Sequence, residues 1–104
     1  MARIRKAFVM TLHAGNEAEY KRRHDEIWPD MVKMLHAHGV HNYSIYLHGT
    51  ALFAYAEIDS EEQWKTIAQE PITKKWWKYM GDIMARNPDN SPVAVDIAEV
   101  FHMS

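Results

Sequence analysis

A ferredoxin-like α+β fold, with elements in the order β-α-β-β-α-β, is what this 104-residue chain predicts. Three observations point there. Apolar residues alternate with period two near the N-terminus, twice in mid-chain and again near the C-terminus. Helical periodicity fills the two intervals between these segments, and glycine- and proline-marked turns separate them. The composition, 47% hydrophobic and 12% aromatic, belongs to a globular chain and not to a disordered one. The length suits one domain over residues 1–104, without repeats, linkers or low-complexity segments.

The elements follow in order. From Ile4 to Leu12 one face carries Ile4, Phe8, Met10 and Leu12, and the other Ala7, Val9 and Thr11, which is a strand with little charge on either side. Asn16 with Glu19 three residues on predicts a capping box for the first helix. Tyr20, His24, Ile27, Met31, Met34, Leu35 and His38 then recur at helical spacing. Pro29 lacks a backbone donor, so a kink or restart is expected near Trp28, with Gly39 as C-cap. Residues 41–47 and 51–58 read as a hairpin around His48, Gly49 and Thr50. Ser60 with Gln63 starts a second helix, whose buried side carries Trp64, Ile67 and Ala68, and Pro71 divides it from a further helix. The run Asn87-Pro88-Asp89-Asn90-Ser91-Pro92 is a loop, and a last strand is expected within residues 95–102. In the third strand Leu52, Ala54, Ala56 and Ile58 alternate with Phe53 and Tyr55, so both faces are apolar. Two helical regions cover only one face of such a sheet. The other face calls for a second surface, most simply the same sheet of another copy.

Several function classes are excluded at this level. Net charge is −2, from 12 basic and 14 acidic residues, which gives no global field to recruit nucleic acid or an anionic membrane. Without cysteine there are no disulfides, thiolate metal sites or thiol nucleophiles. No apolar run approaches the ~18 residues of a membrane helix, and the N-terminal segment is no signal peptide, so a cytoplasmic protein is expected. No serine sits in a nucleophile-elbow context, and the four glycines form no phosphate loop.

The adjacent tryptophans Trp76 and Trp77 are the most informative pair. Helical neighbours point about 100° apart, so two indoles cannot share one direction. Trp76 joins an apolar stripe with Ile72, Tyr79, Met80 and Ile83, while Trp77 falls on the flank with Thr73 and Gly81. Either both are core, or Trp77 covers a ligand, a partner chain or an irregular part of the fold.

His24 lies on the inward side of the first helix, one turn after Tyr20, and its ordinary pKa of ~6.5 suits proton transfer in either direction. The competing reading is a core histidine satisfied by one hydrogen bond. Tyr20, Tyr43, Tyr46, Tyr55 and Tyr79 pair apolar rings with hydroxyls, as pocket walls and ordinary cores both do. Among seven histidines only His38 and His41 straddle a turn in a way that brings them together, and no carboxylate is expected beside them. No metal site is therefore assigned.

Taken together, Tyr20-Lys21-Arg22-Arg23-His24, Ile27-Trp28-Pro29, His41-Asn42-Tyr43, Ile45-Tyr46-Leu47, Trp76-Trp77-Lys78-Tyr79-Met80 and the Asn87–Pro92 loop resemble the L-rhamnose mutarotases, as does Arg5-Lys6-Ala7-Phe8-Val9-Met10. The likeness runs from about residue 3 to residue 102. It implies a dimeric α/β barrel of two ferredoxin-like protomers, and interconversion of the α and β anomers of L-rhamnose in rhamnose metabolism, without a cofactor. It implies His24 as proton donor and Tyr20, Tyr43, Trp76 and Trp77 as substrate-binding residues. The second acid/base group stays open between a tyrosine, a loop carboxylate such as Asp89, and water. Trp76 is expected at the interior end of the pocket and Trp77 over the sugar or its rim. Rival readings are a monooxygenase or haem-degrading enzyme of the same architecture, and a sugar-binding module without catalysis.

Overall fold

The computed structural model describes residues 2–104. Its elements are β1 (Ile4–Thr11), α1 (Glu17–Asp25), α2 (Pro29–Ala37), β2 (Val40–His48), β3 (Ala51–Ile58), α3 (Glu61–Thr66), α4 (Pro71–Met80) and β4 (Ala94–Asp96). A single 3₁₀ turn, Ile67–Gln69, joins α3 to α4. The strands form one sheet in the order β2-β3-β1-β4. All three pairings are antiparallel, and β1 lies opposite β3 from Ile4↔Ile58 to Thr11↔Ala51. This is the ferredoxin-like arrangement expected. Among the described residues no helix is long and apolar enough to cross a membrane.

Period-two patterning decides which face the helices cover. Phe8 and Met10 of β1, Leu12 just beyond it, and Leu52, Ala54, Ala56 and Ile58 of β3 are buried beneath them, with Met31, Met34, Trp76 and Met80 packed from the helical side. The opposite face is left open. There Tyr46 stands opposite Phe53 and Val95 opposite Val9, with Tyr46 66% and Val95 62% exposed.

Pro29 restarts the helix as expected. Trp28 takes an extended backbone and α2 begins with the proline at its first position, where the missing donor costs nothing. Gly39 ends α2 at φ +76°, the left-handed geometry a glycine C-cap supplies. Ser60 accepts from the Gln63 N–H and caps α3.

Three expectations need correction. Asn16 makes no cap bond: its backbone is not extended, its amide donates to the His13 carbonyl, and Glu19 turns to Arg22 and Arg23 instead. Thr73 is not on an outer flank but 1% exposed, its hydroxyl facing the Met34 sulfur, whereas Tyr79, assigned to the stripe, is 38% exposed. The last strand is short. Its pairing ends at Asp96, one further bond runs from Ile97 N–H to the Ala7 carbonyl, and beyond it Val100, Phe101 and Met103 are exposed.

Candidate active site

Tyr20 and His24 stand four positions apart on α1, which puts the two rings one above the other on one face. They stack with centroids 4.3 Å apart and planes 27° from parallel. The His24 Nδ1 lies 3.1 Å from the Tyr20 carbonyl oxygen. A carbonyl only accepts, so Nδ1 carries the proton and donates; in the neutral ring Nε2 then keeps its lone pair. From α4 the Trp76 indole meets the imidazole edge-on, with centroids 5.4 Å apart and planes at 88°. Burial pushes the His24 pKa below its ordinary value, opposed more weakly by the Tyr20 carbonyl and the nearby Asp25 carboxylate. The ring is thus neutral at neutral pH, held between two aromatic planes.

His24 opens onto a cavity of about 1080 Å³ between the covered face of the sheet and the helices. All five residues singled out by sequence line it: Tyr20 and His24 from α1, Tyr43 from β2, and Trp76 and Trp77 from α4. The Tyr43 ring forms a three-way aromatic cluster with Phe8 and Trp64, each with its centroid 6.4 Å away. Burial pushes the Tyr43 hydroxyl up to about 12. The Tyr20 hydroxyl is raised too, by burial and then by the nearby Tyr43. Both therefore stay protonated, as donors or acceptors toward a bound molecule and not as bases.

The two tryptophans part company as their helical geometry requires. Trp76 is 7% exposed and touches His24 at the inner end. Trp77 is half-buried and lines both the cavity and an adjoining surface groove, where Asp89 also lies. Asp89 accepts from the backbone N–H and hydroxyl of Ser91, which holds its carboxyl below the usual range. It lines the groove and not the cavity, so it is not placed to exchange protons beside His24.

The histidines near Gly39 do find carboxylates, contrary to expectation. His38 bridges Thr66 and Glu70 at 2.8 and 2.9 Å, and His41 meets Asp59 at 3.1 Å. Each is committed to its own partner, and among the described residues no three His, Asp or Glu converge as a metal site.

Three contributors were not legible in advance. Trp28 packs edge-on to Trp76 at 5.0 Å and stacks on Tyr79 at 5.7 Å. Trp64, assigned only to a helix's buried side, forms part of the cavity wall. Arg23, beside His24, is buried with its guanidinium bound to Glu19, Asp82 and the Tyr79 carbonyl. The aromatic richness of these segments was a signal for the first two. Nothing local marks Arg23 as buried.

A sequence model of the L-rhamnose mutarotase family matches residues 5–103. The chain is 57% identical to an L-rhamnose mutarotase of Opitutus terrae over 96% of its length and 98% of the relative's. It is 53% identical to one of Tolumonas auensis over 97% and 99%. The crystal structure of an L-rhamnose mutarotase from Formosa agariphila superposes with a TM-score of 0.90 at 42% identity, covering 97% of this chain and 99% of the other. A dimeric ferredoxin-like protein from an uncultured marine organism, 17% identical with a TM-score of 0.59 over 100% and 95%, shares the fold. With a family model matched over residues 5–103, relatives more than half identical over nearly their whole length and a shared fold, the chain belongs to the L-rhamnose mutarotase family.

Proposed function

We propose that this chain, like its family, interconverts the α and β anomers of L-rhamnose, by general acid/base ring opening and closure and without a cofactor. The observation that carries the reading is the His24 ring: desolvated, neutral, fixed through Nδ1 and flanked by aromatic planes at the cavity wall.

The anomeric hydroxyl oxygen and the ring oxygen are bonded to the same carbon, so one imidazole nitrogen reaches both in turn. Nε2 takes the proton from the anomeric hydroxyl, and the imidazolium, as proton donor, delivers it to the ring oxygen. The bond from C1 to the ring oxygen breaks as the C1 carbonyl forms. Rotation about the C1–C2 bond turns the other face of the aldehyde toward the ring hydroxyl, and the reverse transfers close the opposite anomer. General acid/base catalysis of this kind contributes ~10²–10⁴-fold, and the uncatalysed reaction is already slow but measurable, so one such residue suffices.

Tyr20 and Tyr43 serve as hydroxyl partners for the sugar, supported by their protonated state. Trp76 and Trp77 offer apolar faces to the C–H surface and the C6 methyl of a deoxy sugar. A homodimer joined through the open sheet face completes the reading, supported by exposed Tyr46, Phe53 and Val95. We infer action in the cytoplasm, which the absence of cysteine suits.

The reading is tested on freshly dissolved L-rhamnose by following optical rotation to equilibrium. Catalytic amounts of the protein are expected to accelerate the relaxation. Saturable binding without acceleration would favour a sugar-binding module, and oxygen-dependent turnover of an aromatic without any sugar effect would favour the oxygenase alternative.

A further inference from the structure

The helices that carry the two halves of the site, α1 with His24 and α4 with Trp76, approach each other only sparsely through their backbones. Their relative placement therefore rests on side chains. One of these is Arg23, whose side chain is 10% exposed although it bears a full charge. Its Nε donates to Glu19 at 2.7 Å within α1. Its Nη1 donates across to the Tyr79 carbonyl at 2.7 Å and to Asp82 at 2.8 Å, and Nη2 donates to the second Asp82 oxygen at 3.3 Å. The guanidinium also lies 4.4 Å from the centroid of the Tyr79 ring.

Each contact has a physical reason to hold. Tyr79 is in the last turn of α4, where carbonyls have no intrahelical donor, and a cation at a helix C-terminus is favourably placed against the dipole. The planar fork of arginine meets the two Asp82 oxygens as a pair, which a lysine cannot do. The result is a fixed tie between residue 23 of α1 and residues 79–82 at the end of α4. His24 is the next residue on one side of the tie, and Trp76 lies one turn back on the other.

We propose that Arg23 is a positioning residue for the anomer exchange: it sets the separation of α1 and α4 and so holds the His24 imidazole against Trp76, dry and aimed, at the cavity wall. This rests on the function proposed above. A looser tie lets the Trp76 edge draw away from the imidazole and water reach the ring. Misplacement on the order of 1 Å costs about 10²-fold in such a step, whereas Tyr43, on β2, stands outside the tied helices. The charged group the imidazole feels is Asp25 on its own helix, while α4 meets it with the uncharged Trp76.

The test pairs Arg23→Lys, which keeps the charge and loses the fork, with Asp82→Asn, made at a side chain that is 65% exposed and carries little risk to folding. Anomer exchange is measured over a range of L-rhamnose concentrations, and the His24 ring protons are titrated by NMR in the same samples. In Arg23→Lys kcat is expected to fall roughly tenfold to a hundredfold, with KM changed by less. The His24 titration midpoint should rise toward its ordinary value as the ring is rehydrated. Asp82→Asn should shift both in the same direction by less. If Arg23→Lys does not fold, Asp82→Asn alone decides. Folded variants with wild-type kcat and an unmoved His24 midpoint would overturn the proposal, as would losses that appear in KM and thermal stability alone. If the wild type itself does not accelerate exchange, the functional reading fails separately. The His24 midpoint then still decides the tie, because an unmoved value in both variants overturns it.

Discussion

His24 is shaped by three unlike influences: a carbonyl that fixes its tautomer, aromatic planes that fix its orientation, and burial that keeps it neutral. The folded ring binds its proton more weakly than the unfolded one does. Between the depressed midpoint and about 6.5 the unfolded chain therefore holds more protons, so this group's contribution to stability is complete above that window and is lost as pH falls through it. Catalysis that begins with neutral Nε2 has the same sense. The exchange rate is expected to be flat from about pH 6.5 upward and to fall at lower pH, as a pH series of relaxation rates will show. A rate that rises on acidification through that range would contradict it. The four-residue spacing of Tyr20 and His24 and the tandem tryptophans were readable in the sequence because each depends only on helix geometry. Arg23 was not, since an arginine between Arg22 and His24 reads as solvated charge, and its partners at Tyr79 and Asp82 are 56 and 59 residues away.

At the level of elements, two similar start signals had different fates. Ser60 and Asn16 each precede a Glu or Gln by three residues, yet only Ser60 receives the backbone bond. Arg22 and Arg23 draw Glu19 out of a capping box, and the non-extended Asn16 turns its amide to His13. Ser60→Ala should accordingly cost about 1 kcal/mol in urea unfolding, and Asn16→Ala much less. Gly39 is more demanding. Its φ of +76° disfavours any side chain, and a Cβ there would lie 2.8 Å from Asp59 Oδ2 and from Gln63 Oε1. Gly39→Ala is expected to destabilise by more than ~1 kcal/mol, measured the same way, because it meets both strain and collision. The β4 end was misjudged for a related reason. Apolar residues beyond Asp96 continue a strand-like pattern, but among the described residues they find no backbone partner apart from the Ile97 bond to Ala7.

For the whole molecule, the sheet divides two tasks between its faces. One face closes the cavity under the helices, and the other presents Tyr46, Phe53 and Val95 to its surroundings. Period-two alternation made both faces visible in sequence, since each carried little charge. The cavity itself was not visible, because it exists only where β2, α1 and α4 come together. If the open face joins two copies, sedimentation should give a dimer, and Tyr46→Glu with Phe53→Glu should yield folded monomers. A monomeric wild type would remove that part of the reading. The central claim is that proton transfer by His24 interconverts the sugar's anomers. It is met most directly by magnetisation-transfer NMR on equilibrated L-rhamnose with wild type and His24→Ala side by side. Enhanced exchange with the wild type, lost by roughly 10²-fold or more in a folded His24→Ala, is the predicted result. Equal enhancement by the two proteins would contradict it.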